Sequence, residues 1–300
     1  MPLPSRVALV EVGPRDGLQN EPGSVPTAAK VAFIDRLAAA GAPTIEAAAF
    51  VNPTWVPQMA DAEAVFAGIA QRPGVRYSAL VPNLRGLDRA IAAGVTEVAV
   101  FAAASETFSQ RNINQTIEQS LETYAAVCAR ALAAGVRVRA YVSTAFGCPF
   151  EGDVPPARVA RVATALLKMG AFEVAVSDTI GVAHPGQVPR VVEAVTAGVP
   201  LERLALHFHD TRGAALANVL TALQLGVTTF DASAGGLGGC PYAPGATGNL
   251  ATEDLIYMLD GLGIHTGVDL DALVDASAGI EAALGHALPS RAYRAVMARR

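Results

Sequence analysis

The stretch KMGAFEVAVSDT, residues 168–179, shows the unit from which this chain is built. Its glycine follows an Ala/Leu-rich helical segment, and a glycine just past a helix end adopts the left-handed backbone conformation at little cost. A continuous apolar run follows the glycine, as is typical of a parallel strand that is buried on both faces. The stretch therefore predicts the end of a helix, a stop and a buried strand.

The same layout recurs along the sequence and predicts eight strands. It is found again at residues 39–50, 92–104, 133–144 and 224–236, and strand-like runs without it lie at 7–12, 77–81 and 204–209. Helical patterns separate the runs, for example at 27–40, 115–134, 156–169 and 212–225. Eight βα units in about 250 residues are typical of an α/β fold, the (β/α)₈ TIM barrel. An open doubly wound sheet has the same alternation, but the first strand is not followed by G-x-G-x-x-G.

Length and composition favour one domain without a membrane or nucleic-acid partner. We expect a single domain over residues 1–300, with the barrel at about 5–262 and additional C-terminal helices at about 263–300. No apolar run reaches the roughly 20 residues of a membrane helix. A net charge of −5 gives no basic face for nucleic acid. No signal segment is evident, and three scattered cysteines suggest no disulfide framework, so a cytoplasmic protein is expected.

Two histidines in one strand are the first candidate for chemistry. In LHFHDTRGAALAN, residues 206–218, His207 and His209 are two positions apart and therefore project to the same side of a strand. Two hydrogen-bonded core histidines are the ordinary alternative, although each ring nitrogen would then need a partner in a crowded interior. A shared divalent metal satisfies both rings at once, so the spacing favours metal ligation.

Charged residues at the ends of other strands point to the same rim of the barrel. Arg15 and Asp16 follow the first strand, where Asp16 offers a hard oxygen ligand and Arg15 a fixed cation for an oxyanion. Glu46 lies inside an apolar strand, and Arg15 is its expected partner because an unpaired buried charge is costly. Asp178 ends the sixth strand, either as a catalytic group or as the cap of the next turn.

A loop rich in glycine and proline follows the eighth strand, at residues 235–249, and could close over a site. Cys240 in this loop is either incidental or an acid–base group over the substrate. Asn249 ends the loop and either ligates a metal or caps the next helix. Asp16, His207, His209 and Asn249 would form a mixed oxygen and nitrogen set, which favours Mg²⁺ or Mn²⁺ over zinc.

These motifs carry a resemblance to a known family. The chain resembles the 3-hydroxy-3-methylglutaryl-CoA lyases, metal-dependent TIM-barrel enzymes named for an Asp-Arg-Glu signature, from about residue 7 to beyond residue 270. The similarity rests on five stretches: VEVGPRDGLQNEP (10–22), FVNPTWVPQMAD (50–61), SDTIGVAHPG (177–186), HFHDT with ALAN (207–218), and GLGGCPYAPGATGNLATEDLIYML (236–259).

The resemblance implies an activity and a set of site residues. The expected reaction is cleavage of 3-hydroxy-3-methylglutaryl-CoA, or of a close 3-hydroxyacyl-CoA thioester, to acetyl-CoA and acetoacetate or the matching oxo acid. The expected cofactor is Mg²⁺ or Mn²⁺, and the expected assembly is a homodimer or a higher homo-oligomer. The implied residues are Asp16, His207, His209 and Asn249 as metal ligands, Arg15, Glu46, Asp178, His207 and Cys240 in catalysis, and Arg15 and Gln19 toward the substrate.

Several positions depart from the family pattern, and three of them leave the acyl substrate open. Ala49 stands where members usually have serine, and Arg212 and Ala215 replace a tyrosine and a glutamine. The change at Ala49 removes a hydroxyl, whereas Arg212 is expected near the start of the seventh helix. Two rival functions are a condensing enzyme related to isopropylmalate synthase and a catalytically silent metal-binding relative.

Overall fold

Eight parallel strands close into a barrel in the computed structural model, which describes residues 3–239 and 248–300. Each strand pairs with its neighbours in chain order, and the last pairs with the first. The predicted (β/α)₈ TIM barrel with additional C-terminal helices is therefore confirmed. The strands are β1 (Ala8–Glu11), β2 (Thr44–Ala49), β3 (Arg76–Leu80), β4 (Glu97–Ala103), β5 (Arg137–Ser143), β6 (Glu173–Asp178), β7 (Leu204–Phe208) and β8 (Thr229–Ala232).

Helices alternate with the strands and surround the barrel. Those between strands are α1 (Thr27–Ala39), α2 (Ala62–Gly68), α3 (Leu84–Ala92), α4 (Glu106–Ile113), α5 (Ile117–Ala133), α6 (Pro156–Lys168), α7 (Val188–Thr196) and α8 (Ala215–Gln224). Three more follow β8, namely α9 (Thr252–Gly261), α10 (Leu270–Leu284) and α11 (Arg291–Met297). Helices α10 and α11 lie in the segment predicted to hold the additional C-terminal helices, whereas α9 lies within the predicted barrel segment, and the division at residue 262 stays a prediction.

The helix predicted from Arg212 begins later, at Ala215. Gly213 has a φ of +69°, in the left-handed region that ends rather than begins a helix. The Asp210 carboxylate accepts a hydrogen bond from the backbone N–H of Ala215 at 3.0 Å. A turn therefore separates β7 from α8, and Arg212 lies in that turn.

Strand register decides which side chains meet inside the barrel. His207 of β7 is paired with Asp231 of β8 on one side and with Ser177 of β6 on the other. Residues paired across neighbouring strands project to the same face of a sheet. The register therefore places a histidine and an aspartate side by side.

The C-terminal helices pack on the outside of the barrel. Helix α10 packs against α1, and the Asp254 carboxylate of α9 holds the start of α11 through the Ser290 hydroxyl at 2.8 Å and the Ala292 N–H at 2.6 Å. Cys128 and Cys148 are free, buried thiols. Among the residues described, no helix has the length and apolar character that crossing a membrane requires.

Candidate metal centre

Three predicted ligands from two strand ends converge at the mouth of the barrel. Asp16 lies in a π-helical turn after β1, His207 in β7 and His209 directly after β7. The Asp16 Oδ2 atom is 4.0 Å from His207 Nε2 and 3.9 Å from His209 Nε2. One ligand atom of each residue lies within 4.8 Å of the others, which is close enough for one ion to reach all three.

Asn249 joins this group because its backbone pairs with the end of β7. The Leu250 N–H donates to the Phe208 carbonyl at 3.0 Å, and Asn249 forms an antiparallel bridge with His209. Its amide Nδ2 donates to Asp16 Oδ2 at 3.0 Å and to the Leu237 carbonyl at 3.0 Å. The four predicted ligands are thus in one place.

A glycine is required beside Asn249. Gly248 has a φ of +40°, and a Cβ atom there would lie 2.0 Å from the Gly236 carbonyl oxygen. A larger residue would therefore push the two ends of the glycine loop apart and move Asn249.

One unsatisfied atom indicates that the site suits a cation. The Asn249 Oδ1 atom is buried and has no hydrogen-bond partner among residues 3–239 and 248–300. A buried polar atom without a partner costs free energy, which a bound ion or its water can offset. Carboxylate oxygen, amide oxygen and imidazole nitrogen are together a donor set that fits a divalent metal.

At Asp16 and His209 the site electrostatics favour the protonation states that a metal requires. Burial alone would raise the pKa of Asp16, but the positive charge of Arg15, with His207 and His209, lowers it to about 2. Burial and the neighbouring His207 lower the pKa of His209 to about 4. Asp16 is therefore a carboxylate and His209 a neutral imidazole at pH 7, as metal ligation demands.

Arg15 is held between two carboxylates beside this group. Its Nε atom donates to Glu46 Oε1, and its Nη1 atom donates to Asp16 Oδ1 at 2.5 Å. The expected pair of Arg15 and Glu46 is thus present, and both side chains are buried. No residue that the structure describes accepts a hydrogen bond from Nη2, so one corner of the guanidinium stays available for a bound anion.

The remaining candidates lie nearby or outside the described chain. Gln19 is half-buried, with its Nε2 atom 3.4 Å from Asp16 Oδ1. Asp178 uses both carboxylate oxygens to accept from the N–H groups of Val182 at 2.9 Å and Ala183 at 3.0 Å, so the capping contact is present. Cys240 lies outside the described residues.

Asp178 makes this capping contact and also has a raised pKa. Burial raises the pKa of its carboxyl group to about 6, although the two backbone N–H groups and the charge of His207 oppose the rise. A carboxyl group with this pKa exchanges protons near neutral pH, which general acid–base catalysis requires. The capping contact and the acid–base role are therefore compatible.

Sequence reasoning missed three charged or polar residues beneath the centre. Asp231 Oδ2 lies 3.2 Å from His207 Nδ1, and Arg139 and Tyr141 of β5 continue the network to Glu46. All three are buried inside strands of apolar sequence. The signal that identified Glu46, a charge within an apolar strand, also marks Arg139 and Asp231.

The three positions that depart from the family pattern, Ala49, Arg212 and Ala215, have different surroundings. Ala49 is completely buried at the end of β2, and Ala215 is buried at the start of α8. Arg212 is exposed, but its Nη1 atom donates to the carbonyls of Ile180 at 3.2 Å and Gly181 at 2.9 Å. Arg212 therefore links the loops after β6 and β7 rather than extending freely into solvent.

Comparison with known proteins identifies relatives over the whole chain. The profile of the HMGL-like family matches residues 6–280. The 3-hydroxy-3-isohexenylglutaryl-CoA/hydroxy-methylglutaryl-CoA lyase of Pseudomonas aeruginosa is 57% identical over 100% of both chains. The mitochondrial hydroxymethylglutaryl-CoA lyase of Rattus norvegicus is 54% identical over 98% of this chain and 90% of its own length.

Solved structures agree with these relatives. The crystal structure of hydroxymethylglutaryl-CoA lyase from Pseudomonas aeruginosa superimposes with a TM-score of 0.98, at 57% identity over 100% of both chains. An HMG-CoA lyase from Acinetobacter baumannii, in complex with coenzyme A and 3-methylmalate, superimposes with a TM-score of 0.93 at 42% identity, covering 97% of this chain and 95% of its own. The likeness extends over the barrel and the helices that follow it.

Proposed function

Since the chain belongs to the HMGL-like family, we propose that it is a carbon–carbon lyase that cleaves 3-hydroxy-3-methylglutaryl-CoA, or a close 3-hydroxyacyl-CoA, to acetyl-CoA and an oxo acid. The observation that carries the proposal is the convergence of Asp16, His207 and His209 beside the paired Arg15. This arrangement offers metal ligands and a fixed cation at one mouth of the barrel, where enzymes of this fold hold their active sites.

Asp16, His207, His209 and Asn249 would hold the metal, which we propose to be Mg²⁺ or Mn²⁺. The set contains no sulfur ligand, and oxygen-rich mixed sites suit these two ions. When bound, a divalent ion supplies Lewis acidity that makes a coordinated hydroxyl easier to deprotonate.

Different residues of the chain are proposed to assist different steps of the cleavage. A base removes the proton of the tertiary hydroxyl, the carbon–carbon bond between C2 and C3 breaks, and its electron pair moves toward the thioester oxygen. Arg15 offers the free corner of its guanidinium to that developing negative charge. Glu46 keeps the guanidinium in place, because it occupies Nε and cannot be reached by solvent.

Proton transfer involves three further candidates. His207 or Asp178 is the proposed base, and the pKa of about 6 at Asp178 suits that role. Cys240, which lies outside the described residues, is the proposed acid that protonates the acetyl-CoA enolate carbon. Gln19 is proposed to contact the substrate from its position beside Asp16.

The decisive test is turnover of a defined set of thioesters. Purified protein with Mg²⁺ or Mn²⁺ and reduced thiols is given 3-hydroxy-3-methylglutaryl-CoA and analogues with longer 3-alkyl branches, and products are identified by mass spectrometry. We expect acetyl-CoA and the matching oxo acid from at least the methyl substrate. If acetyl-CoA and an oxo acid supplied in a parallel reaction condense while no thioester is cleaved, the synthase alternative is supported, and no reaction with any thioester would defeat the proposal.

Ala49 provides a test of substrate preference. The Pseudomonas aeruginosa relative is named for a thioester with a longer branch as well as for the methyl compound. If the missing hydroxyl favours a longer branch, Ala49→Ser should change the ratio of kcat/KM between the two substrates by roughly two- to twelve-fold, the value of one hydrogen bond. The exposed substitution Ala157→Ser on α6 is the control and should leave the ratio unchanged.

The assembly and the cellular location remain proposals. We propose a homodimer or a higher homo-oligomer with an acyl-CoA substrate and without nucleic-acid or membrane partners. A cytoplasmic location is proposed for this chain, while the rat relative is named as mitochondrial. Light scattering of the purified protein would give the subunit number.

A further inference from the structure

A buried arginine crosses the barrel beneath the metal centre. Arg139 lies in β5 and is 1% exposed, yet its guanidinium contacts three side chains, two of which lie on other strands. Its Nη2 atom donates to Asp231 Oδ1 at 2.7 Å, its Nε atom to Glu173 Oε1 at 2.7 Å, and its Nη1 atom to the Tyr141 hydroxyl at 2.8 Å. The mechanism above makes no use of this charge, although burying an arginine is expensive.

One arm of the network leads from Arg139 to a metal ligand. Asp231 shares its two oxygens between Arg139 and His207, whose Nδ1 atom is 3.2 Å from Asp231 Oδ2. Arg139 can only donate hydrogen bonds, so it keeps Asp231 as an acceptor. An acceptor at Nδ1 requires a proton there, and the lone pair of the neutral ring is then at Nε2, the atom that faces Asp16.

The other arm leads to Arg15. The Tyr141 hydroxyl accepts from Arg139 and donates to Glu46 Oε2 at 2.7 Å, while Glu46 Oε1 accepts from Arg15 Nε. The direction of each hydrogen bond follows from the one before it, starting at Arg139. Arg139 thus orients both Arg15, the cation proposed to stabilise the oxyanion, and His207, although it contacts neither of them directly.

We propose that Arg139 is the positioning residue of the centre and that, through Asp231, it fixes His207 in the tautomer that presents Nε2 to a divalent metal. The proposal rests on the proposed function only in naming the ligand that is oriented. The tautomer itself is a property of the metal-free protein and can be measured whether or not the protein cleaves a thioester.

Two isosteric substitutions separate this role from general support of the barrel. Asp231→Asn and Glu173→Gln each remove one acidic partner of Arg139, but only Asp231 contacts His207. In the asparagine variant the amide oxygen faces the closer donor, Arg139 Nη2, and the NH₂ group then faces His207 Nδ1. His207 is forced to carry its proton on Nε2, which removes that atom as a ligand.

The test combines histidine NMR with metal binding. Protein labelled with ¹⁵N at histidine is examined without metal at pH 9, where the neutral ring dominates, and His207 is assigned by its loss in His207→Gln. We expect an Nδ1-protonated ring in the wild type and in Glu173→Gln, and an Nε2-protonated ring in Asp231→Asn. Calorimetric titration with Mn²⁺ should show at least about tenfold weaker binding for Asp231→Asn, and a change within about twofold for Glu173→Gln.

Each outcome decides the matter. An Nε2-protonated His207 in the wild type overturns the proposal even if the asparagine variant does not fold. Equal losses of Mn²⁺ affinity in the two variants would assign Arg139 to structure alone. A correct tautomer pattern in a protein without lyase activity would keep this proposal and defeat the proposed function.

Discussion

Two groups of buried carboxylates differ in what neutralises them. Asp231 and Glu46 are each bound by an arginine, Arg139 in one case and Arg15 in the other. Glu11 and Glu253 lie where β1, β8 and α9 meet, and their hydrogen-bond partners are neutral backbone and hydroxyl groups. The first group forms charged pairs with arginines beside the metal centre, whereas the second accepts hydrogen bonds that hold together the backbone around it.

The partners of the second group explain the difference. Glu11 accepts from the N–H groups of Gly13 at 2.8 Å and Ala234 at 2.9 Å and from the Thr252 hydroxyl at 2.7 Å. Glu253 accepts from the Gly235 N–H and from the Ser277 hydroxyl. These donors tie the loop after β8 to the turn after β1, so both segments of the centre depend on them.

The pKa values of Asp231, Glu11 and Glu253 differ in line with their partners. Burial would raise the pKa of Asp231, but the charge of Arg139 and the hydrogen bond from His207 lower it below its ordinary value. Burial raises the pKa of Glu11 and of Glu253 to about 7, because hydroxyl and backbone donors offset only part of the desolvation. For these three carboxylates, the arginine beside Asp231 offsets the desolvation that the neutral donors around Glu11 and Glu253 offset only in part.

The largest expected effect comes from removing a cation of the first group. Arg15→Gln removes the charge proposed to stabilise the enolate, so we expect kcat to fall at least about 10²-fold. Mn²⁺ affinity should barely change, because Arg15 is not one of the proposed ligands. Steady-state kinetics and calorimetry measure the two quantities, and near-normal turnover would rule out the role.

Removing the carboxylate of the same pair is the next prediction. Glu46→Gln leaves Arg15 with a weaker, neutral partner in a buried position, which should cost about 3 kcal/mol in the free energy of unfolding. It should also lower kcat about 10-fold or more, since Arg15 can then turn toward Asp16 alone. Denaturant unfolding and kinetics check both values.

The outer surface offers a matched control for that variant. Glu63 makes a bidentate pair with Arg89, at 2.7 and 3.0 Å, but its side chain is 48% exposed. Glu63→Gln should cost less than about 1 kcal/mol and leave kcat unchanged, because exposed ion pairs contribute little. Equal losses in Glu46→Gln and Glu63→Gln would contradict the importance of burial in the comparison.

Much of the fold could be predicted because its signals are local. A glycine followed by a continuous apolar run predicts five of the strands, and three further apolar runs bring the number to the eight that are typical of a closed barrel. The start of α8 was wrong by three residues, since the turn at Gly213 depends on the contact of Asp210 with Ala215. Such a cap is a property of the folded loop and not of helical periodicity.

The candidate site was predictable where residues stand close in sequence. The spacing of His207 and His209 and the adjacency of Arg15 and Asp16 are visible in the chain itself. Arg139 and Asp231 meet across the barrel, from residues 92 positions apart, and no local pattern pairs them. Their charges inside apolar strands were visible, but the partner of each depends on strand order and register.

The smallest expected effect concerns the second group and appears as a pH dependence. In the folded protein Glu11 and Glu253 have pKa values of about 7, against an ordinary value of 4.5. Between these values the folded state keeps protons that the unfolded chain releases, so the contribution of these two groups to stability is largest below about pH 4.5 and declines as the pH rises toward 7. Glutamine at either position cannot ionise, and its oxygen and NH₂ group can serve the same backbone donor and hydroxyl.

Glu253→Gln and Glu11→Gln should therefore leave kcat within about twofold and reduce the decline in unfolding free energy between pH 5 and pH 8 by about 1–2 kcal/mol each. Denaturant unfolding at a series of pH values measures the decline, and Glu63→Gln again serves as the control, with the wild-type slope. If the difference between each glutamine variant and the wild type stays constant from pH 5 to pH 8, both carboxylates are already ionised at pH 5. Neutral donors alone would then be enough to keep a buried carboxylate charged in this barrel, and the arginines beneath the metal centre would serve orientation rather than charge.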